Sequence, residues 1–301
     1  MPLWIIATCL AAGIQTLRFI LQRQVRDAGL STGGATFSRF IFAAPLAIIT
    51  VAVLQPLTAT AWPSTTPAFW SYAFFGGLCQ IGGTFATIML FSLRNFAVGI
   101  AFTKTETIQV VLFSLLILGE GVSGAGLAAI LVGIVGVILI SSKDAGDTAR
   151  WSGALRAKPM LLGLIAGAGF GLSAIGYRGA ALDLDTGGAL FRAACTLAAV
   201  TAMQTVTMGL WLLWREPGEV ARVLRAWRRT ALVGLTGMLG SLAWFTAFAL
   251  QNAAYVRAVG QIELVLGVIV AWAVFGERVA RREAIGIAFL GLSVVALMLV
   301  A

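Results

Sequence analysis

Apolar residues in this chain neither alternate nor recur as helical stripes; they run together. Ten stretches, at about 3–24, 33–54, 68–92, 96–118, 123–141, 160–181, 187–212, 229–250, 253–275 and 283–300, are almost free of charge. Each approaches the ~20 residues with which an α-helix crosses a ~30 Å hydrocarbon core. A β-barrel would instead show ~10-residue segments of alternating polarity, and none is present. The pattern predicts an all-α integral membrane protein with ten transmembrane helices. The breaks, "QPLTATAWPSTTP" (55–67), "SSKDAGDTARWSGALRAKP" (141–159) and "WREPGEVARVLRAWRR" (214–229), read as turns too short for a soluble domain. The first stretch lacks a basic leader and carries Arg18, so it reads as a span rather than a signal peptide.

Composition agrees with lipid as the solvent: 59% of the 301 residues are hydrophobic and 11% charged, and mean hydropathy is +0.96. The net charge is +9, and its placement carries the information. Arg23, Arg26, Arg94, Lys143, Arg150, Arg156, Lys158, Arg215, Arg222, Arg225, Arg228, Arg229, Arg278, Arg281 and Arg282 follow the odd-numbered spans, whereas Arg178 and Arg257 are assigned to the other face. By the positive-inside rule the first set is cytoplasmic and both termini are periplasmic, in a bacterial inner membrane. Basic loops lying against a bilayer meet anionic headgroups, so the lipid bilayer is the expected partner and nucleic acid is not. Cys9, Cys79 and Cys195 have no paired spacing and histidine is absent, so no disulfide, metal or cofactor is expected.

The segment "FSLRNFAVGIAFTKTETIQVVLFSLLILGE" (91–120) recurs as "FALQNAAYVRAVGQIELVLGVIVAWAVFGE" (248–277) at a constant offset of 157, with Phe91/Phe248, Asn95/Asn252, Glu106/Glu263, Gly119/Gly276 and Glu120/Glu277 identical. "STGGATF" (31–37) faces "DTGGALF" (185–191) at offset 154. Two copies of a five-helix unit follow: residues 1–142, a cytoplasmic linker 143–159, and residues 160–301. An odd number of spans per copy inverts the second copy, the arrangement that places a substrate site at the midplane between repeats in secondary transporters.

On Glu106 with "LGE" (118–120), Glu263 with "FGE" (275–277) and the paired five-helix plan, the chain resembles the ten-helix EamA-like family of the drug/metabolite transporter superfamily. The resemblance spans essentially the whole chain and implies a transporter of small metabolites that is not an enzyme. Length and compact loops are similar to bacterial amino acid exporters, the aromatic branch included, with multidrug export or lipid handling as the alternatives. Many relatives carry a proline after the first acidic residue, where Thr107 and Leu264 stand here.

Ionised side chains at mid-bilayer cost ~2.5 to ~17 kcal/mol, so they face a bundle interior or a water-filled cavity. Lys104 and Glu106, two residues apart, would lie about 200° apart on one continuous helix, with one facing the cavity and the other a neighbouring helix. Glu106 recurs as Glu263, which suits a tie common to both copies; Lys104 corresponds to Gln261, and an asymmetric position can meet an asymmetric solute. Either glutamate could also couple transport to protons. Phe85, Phe102, Trp244 and Tyr255 could line the cavity. The candidate substrate site is therefore Lys104, Glu106, Gln261, Glu263, Trp244, Phe85, Phe102 and Tyr255; a monomer is one expectation, though these residues do not fix the oligomeric state. Arg39 and Arg192 are expected to snorkel to a helix end, and Glu120 and Glu277 to meet free backbone N–H groups. Gly163, Gly167 and Gly171, with Gly133 and Gly136, mark close helix contacts.

Overall fold

In the computed structural model, residues 1–90, 103–141, 154–266, 269 and 281–300 are described. Their elements are α1 (Leu3–Asp27), α2 (Thr32–Thr58), α3 (Pro67–Leu90), α4 (Glu106–Phe113), α5 (Gly124–Ser141), α6 (Ala154–Asp183), α7 (Ala189–Arg215), α8 (Glu219–Arg225), α9 (Trp227–Leu250), α10 (Ala253–Gly260) and α11 (Arg281–Val300). All are helical, as the apolar runs require of backbone in lipid, where each N–H and C=O must be satisfied within the segment. Among the described residues, six helices, α1, α2, α3, the 160–183 part of α6, α7 and α9, are long and apolar enough to cross a membrane, with shorter apolar helices beside them. The chain is a multi-pass membrane protein.

Helix packing follows a reciprocal scheme. The dominant contacts join α3 to α6, α1 to α9, α2 to α7 and α5 to α11. Glycine permits the closest of them. A Cβ on Gly169 would sit 2.7 Å from the Cys79 carbonyl, and one on Gly176 2.7 Å from that of Tyr72, so α3 and α6 touch backbone to backbone. Gly136 meets the Gly286 carbonyl at 2.7 Å in the same way, where α5 packs on α11. The four-residue spacing at Gly167 and Gly171 serves a different neighbour: these two face Thr103, Glu106 and Val110. The α3–α6 seam runs along the next stripe of α6, which the sequence spacing did not single out.

Polar ties fix the two ends of the bundle. At one end Ser31 caps α2 by accepting from the Gly34 N–H at 2.9 Å, its own N–H donates to buried Glu219 at 2.6 Å, and its hydroxyl donates to Glu216. Two carboxylates thus sit at the start of α2, where the helix dipole favours negative charge. They come from the 216–219 segment, which the sequence presented as a plain turn and which instead enters the short helix α8. At the other end Asp185 accepts from the Ser64 hydroxyl at 2.6 Å and N–H at 3.1 Å, and Asp183 accepts from Thr66 at 2.6 Å.

The glycine seam is open to test. Gly176→Val drives a branched side chain into the Tyr72 carbonyl, and overpacking of this kind costs about 1–3 kcal/mol. Thermal unfolding of the purified variant in detergent should show a clear loss of stability; an unchanged midpoint would mean that α3 and α6 are not held this closely.

Candidate functional site

The site begins with two interrupted helices. Lys104 and Thr105 form a turn and α4 starts only at Glu106, so Thr105 becomes the residue whose carbonyl accepts the first bonds, from Ile108 and Gln109. At the position 157 residues later, α10 closes at Gly260, Gln261 forms a turn, and a new helical turn carries Glu263. Unbroken spans over 96–118 and 253–275 are therefore corrected to discontinuous ones. Beyond α4 the helix widens into a π turn over Ser114–Leu118, closed by Gly119 at φ +67°.

The break at Lys104 changes the geometry of its neighbours. Because Lys104 precedes the helix, the 200° separation does not apply, and Lys104 and Glu106 both line one cavity of about 330 Å³. Gln15, Thr16, Phe19 and Arg23 of α1, Thr87 of α3, Phe170 of α6, and Glu263 complete most of its wall. These residues come from the second half of α1 and the last turn of α3, so the cavity opens toward the end of the bundle where Arg23 lies. At the far end Arg178 donates to Glu120 at 2.6 Å and 2.8 Å and to the Phe248 and Gln251 carbonyls at 2.6 Å and 2.7 Å. The Tyr255 hydroxyl there accepts from the Ser123 N–H at 3.0 Å.

Two ion pairs cross the cavity floor. Lys104 pairs with Glu263, which also accepts from Gln15 Nε2 at 3.1 Å. Glu106 pairs with Arg257 at 2.9 Å. Arg257 further donates to the Phe170 carbonyl at 3.3 Å, and its guanidinium lies over Trp244 at 4.7 Å and Phe248 at 5.2 Å. Trp244 and Phe248 stack with centroids 5.7 Å apart, and Trp244 Nε1 donates to Gln15 at 3.1 Å. Each charge is thus matched by an opposite one, which low dielectric demands.

The other candidates fall outside the cavity wall. Gln261 donates to Thr107 at 3.1 Å. Phe85 packs edge to face on Trp211, with centroids 5.9 Å apart. Tyr255 is occupied at the closed end, Trp244 stands behind Gln15, and Phe102 lies outside the described residues, as does Glu277.

Two arginines, Arg257 and Arg39, differ from expectation. Arg257, assigned to the outer face, is 7% exposed and belongs to the core. Arg39 does not snorkel; it is buried and donates to Thr84 at 3.1 Å and Ser241 at 3.0 Å. Arg192 keeps a buried Nε without a hydrogen-bond partner. Arg178 meets Glu120 within the bundle, and Glu120 therefore serves a guanidinium rather than a helix N-terminus. A cation inside an apolar run shows in sequence, but its carboxylate lies more than fifty residues away.

Residues 157–299 match the model of the EamA-like transporter family. The match takes in most of the second half of the chain and none of the first. A solved crystal structure, described only as that of a protein, superposes over 98% of this chain and 97% of its own with TM-score 0.70 at 16% identity, which shows a shared fold across both halves. No curated protein matches the chain by sequence. The EamA-like family consists of transporters, and within the EamA-like segment lie Trp244, Arg257 and Glu263, the residues that complete the cavity floor.

The Glu106–Arg257 pair makes a measurable claim. Arg257→Leu strands a buried carboxylate and should cost about 3–5 kcal/mol, whereas adding Glu106→Leu should recover most of that loss. A double-mutant cycle on unfolding in detergent reads the coupling directly, and additive effects of the two changes would show that the pair does not form.

Proposed function

We propose that the chain is a secondary transporter that exports small amphipathic metabolites, amino acids foremost and aromatic or hydrophobic ones in particular, by alternating access. The observation that carries this reading is the cavity itself. It lies where two discontinuous helices, at matching places in the two halves of the sequence, bring opposite charges together. Broken helices at corresponding positions of two repeats are the marks of a transporter substrate site.

The reciprocal packing supports ten spans in two inverted five-helix repeats. Exchanging the halves turns the α1–α9 contact into α6–α3 and returns α2–α7 and α5–α11 to themselves. Under the positive-inside count the Arg23 end is cytoplasmic. The cavity then faces the cytoplasm, and the Arg178–Glu120 tie and Tyr255 close the periplasmic end.

Lys104 is the residue best placed to meet the solute. It lies on the cavity wall, has no counterpart in the other half, and is paired with Glu263 at the cavity surface. Gln15 and Trp244 hold Glu263 and Arg257 in place behind it.

Purified protein in liposomes should take up labelled tryptophan and phenylalanine saturably, with threonine as a comparison and empty liposomes as the control. Lys104→Ala should raise the apparent KM by about tenfold, the equivalent of ~1.4 kcal/mol. Unchanged KM would remove Lys104 from the solute. Uptake of apolar drugs but not of amino acids would favour multidrug export, and transfer of lipid alone would favour the lipid-handling alternative.

A further inference from the structure

Among the described residues, the buried charges of the bundle centre do not balance. Arg18, Arg39, Lys104 and Arg257 are opposed by Glu106 and Glu263. Both carboxylates are already engaged, by Arg257 and Lys104 respectively. Among the described residues, Arg18 and Arg39 make hydrogen bonds only to neutral groups. Arg18 Nη1 donates to Gln22 at 2.5 Å, and Arg39 donates to Thr84 and Ser241. Arg18 Nη2 is buried with no hydrogen-bond partner. The residues are 2% and 5% exposed, so water does not solvate the excess.

The two side chains are also neighbours. Both pass over Gly237 of α9: a Cβ there would lie 3.0 Å from Arg39 Cγ and 3.6 Å from Arg18 Cδ. Glycine at this place leaves room for two guanidinium stems side by side. Two like charges adjacent in a low-dielectric interior repel, and each carries a desolvation cost of several kcal/mol without an anion. Glu263 is held by Lys104 and Gln15.

The pair stands directly behind the cavity. The Arg18 guanidinium lies 4.3 Å from the centroid of the Phe19 ring, and Phe19 lines the cavity. Thr84, the partner of Arg39, precedes the cavity-lining Thr87 by one turn of α3. Phe19 is therefore the side chain that stands between the Arg18 guanidinium and the cavity.

We propose that Arg18 and Arg39 together bind an oxyanion, the carboxylate or phosphate group of the transported solute, which supplies the missing negative charge. The assignment rests on the carrier reading of the cavity for its identification with a solute. Guanidinium matches planar carboxylate and phosphate oxygens through paired N–H donors, which chloride cannot engage in the same way.

The test is binding to the purified full-length protein in detergent, with sodium succinate and sodium phosphate as probes and sodium chloride at equal ionic strength as the reference. Saturable thermal stabilisation by either oxyanion is expected, and the stronger of the two identifies the group. Arg18→Gln and Arg39→Gln should each weaken that binding by about tenfold or more. Arg18→Gln should unfold no earlier than the wild type in oxyanion-free buffer, because it removes an uncompensated charge. Should either variant fail to fold, the wild-type titration decides: no saturable oxyanion effect, or one that chloride reproduces, overturns the assignment. Uptake of solute into liposomes without oxyanion binding would overturn the arginine site and keep the carrier. Oxyanion binding lost in the variants but without any solute flux would keep the site and overturn the carrier.

Discussion

Everything at the centre of this protein depends on charge being matched inside a low-dielectric bundle. Lys104 with Glu263, and Glu106 with Arg257, are the two pairs that do so across the halves of the chain. Neither half could carry its glutamate alone, because an ionised carboxylate without a partner has no tolerable place in lipid. The pairs therefore tie together residues more than 150 positions apart and set where α4 and α10 approach each other. The aromatic stack beneath Arg257 and the Gln15 side chain between Trp244 and Glu263 then fix the orientation of these charges.

The broken helices are the second consequence. A continuous helix would project Lys104 and Glu106 to opposite sides, and only one of the two pairs could cross the same space. The turn at Lys104–Thr105 removes that restriction and leaves polar backbone at membrane depth, which is tolerated where it borders protein or a water-filled cavity. Gln261 repeats the device at the corresponding position. Thr107 and Leu264, standing where many relatives have proline, show that the interruption here does not need a proline to form.

Much of this was legible in the sequence, and the limits of that reading are physical. Spans announce themselves through apolar length, and nearly all the long ones fell where the hydropathy placed them. Lys104, Glu106 and Glu263 stood out because a charge in an apolar run is costly enough to require a reason. The aromatic candidates were less legible: Phe85 and Tyr255 are the right kind of residue for a cavity, but packing on Trp211 and hydrogen bonding to Ser123 claimed them. Arg257 was missed because it follows Asn252 by only five residues, and a cation so near a predicted span end reads as interfacial. What returned it to the core is Glu106, a partner invisible to any local window. The same applies to α8 and Glu219, whose purpose lies at Ser31, on the other half of the chain.

The sequence repeat and the charge pairing together suggest how one fold serves two roles. Glu106 and Glu263 occur at matching positions, but their partners do not: Lys104 stands opposite Gln261 in the alignment, and Arg257 opposite Ile100. Each pair therefore joins a duplicated carboxylate to a cation present in only one half. The duplicated groups supply a framework that either half can offer, while the unmatched cations give the floor of the cavity a direction. A symmetric floor of two carboxylates would repel an anionic solute. Lys104 from the first half and Arg257 from the second neutralise those carboxylates, and Arg18 and Arg39 behind Phe19 add positive charge deeper in the bundle.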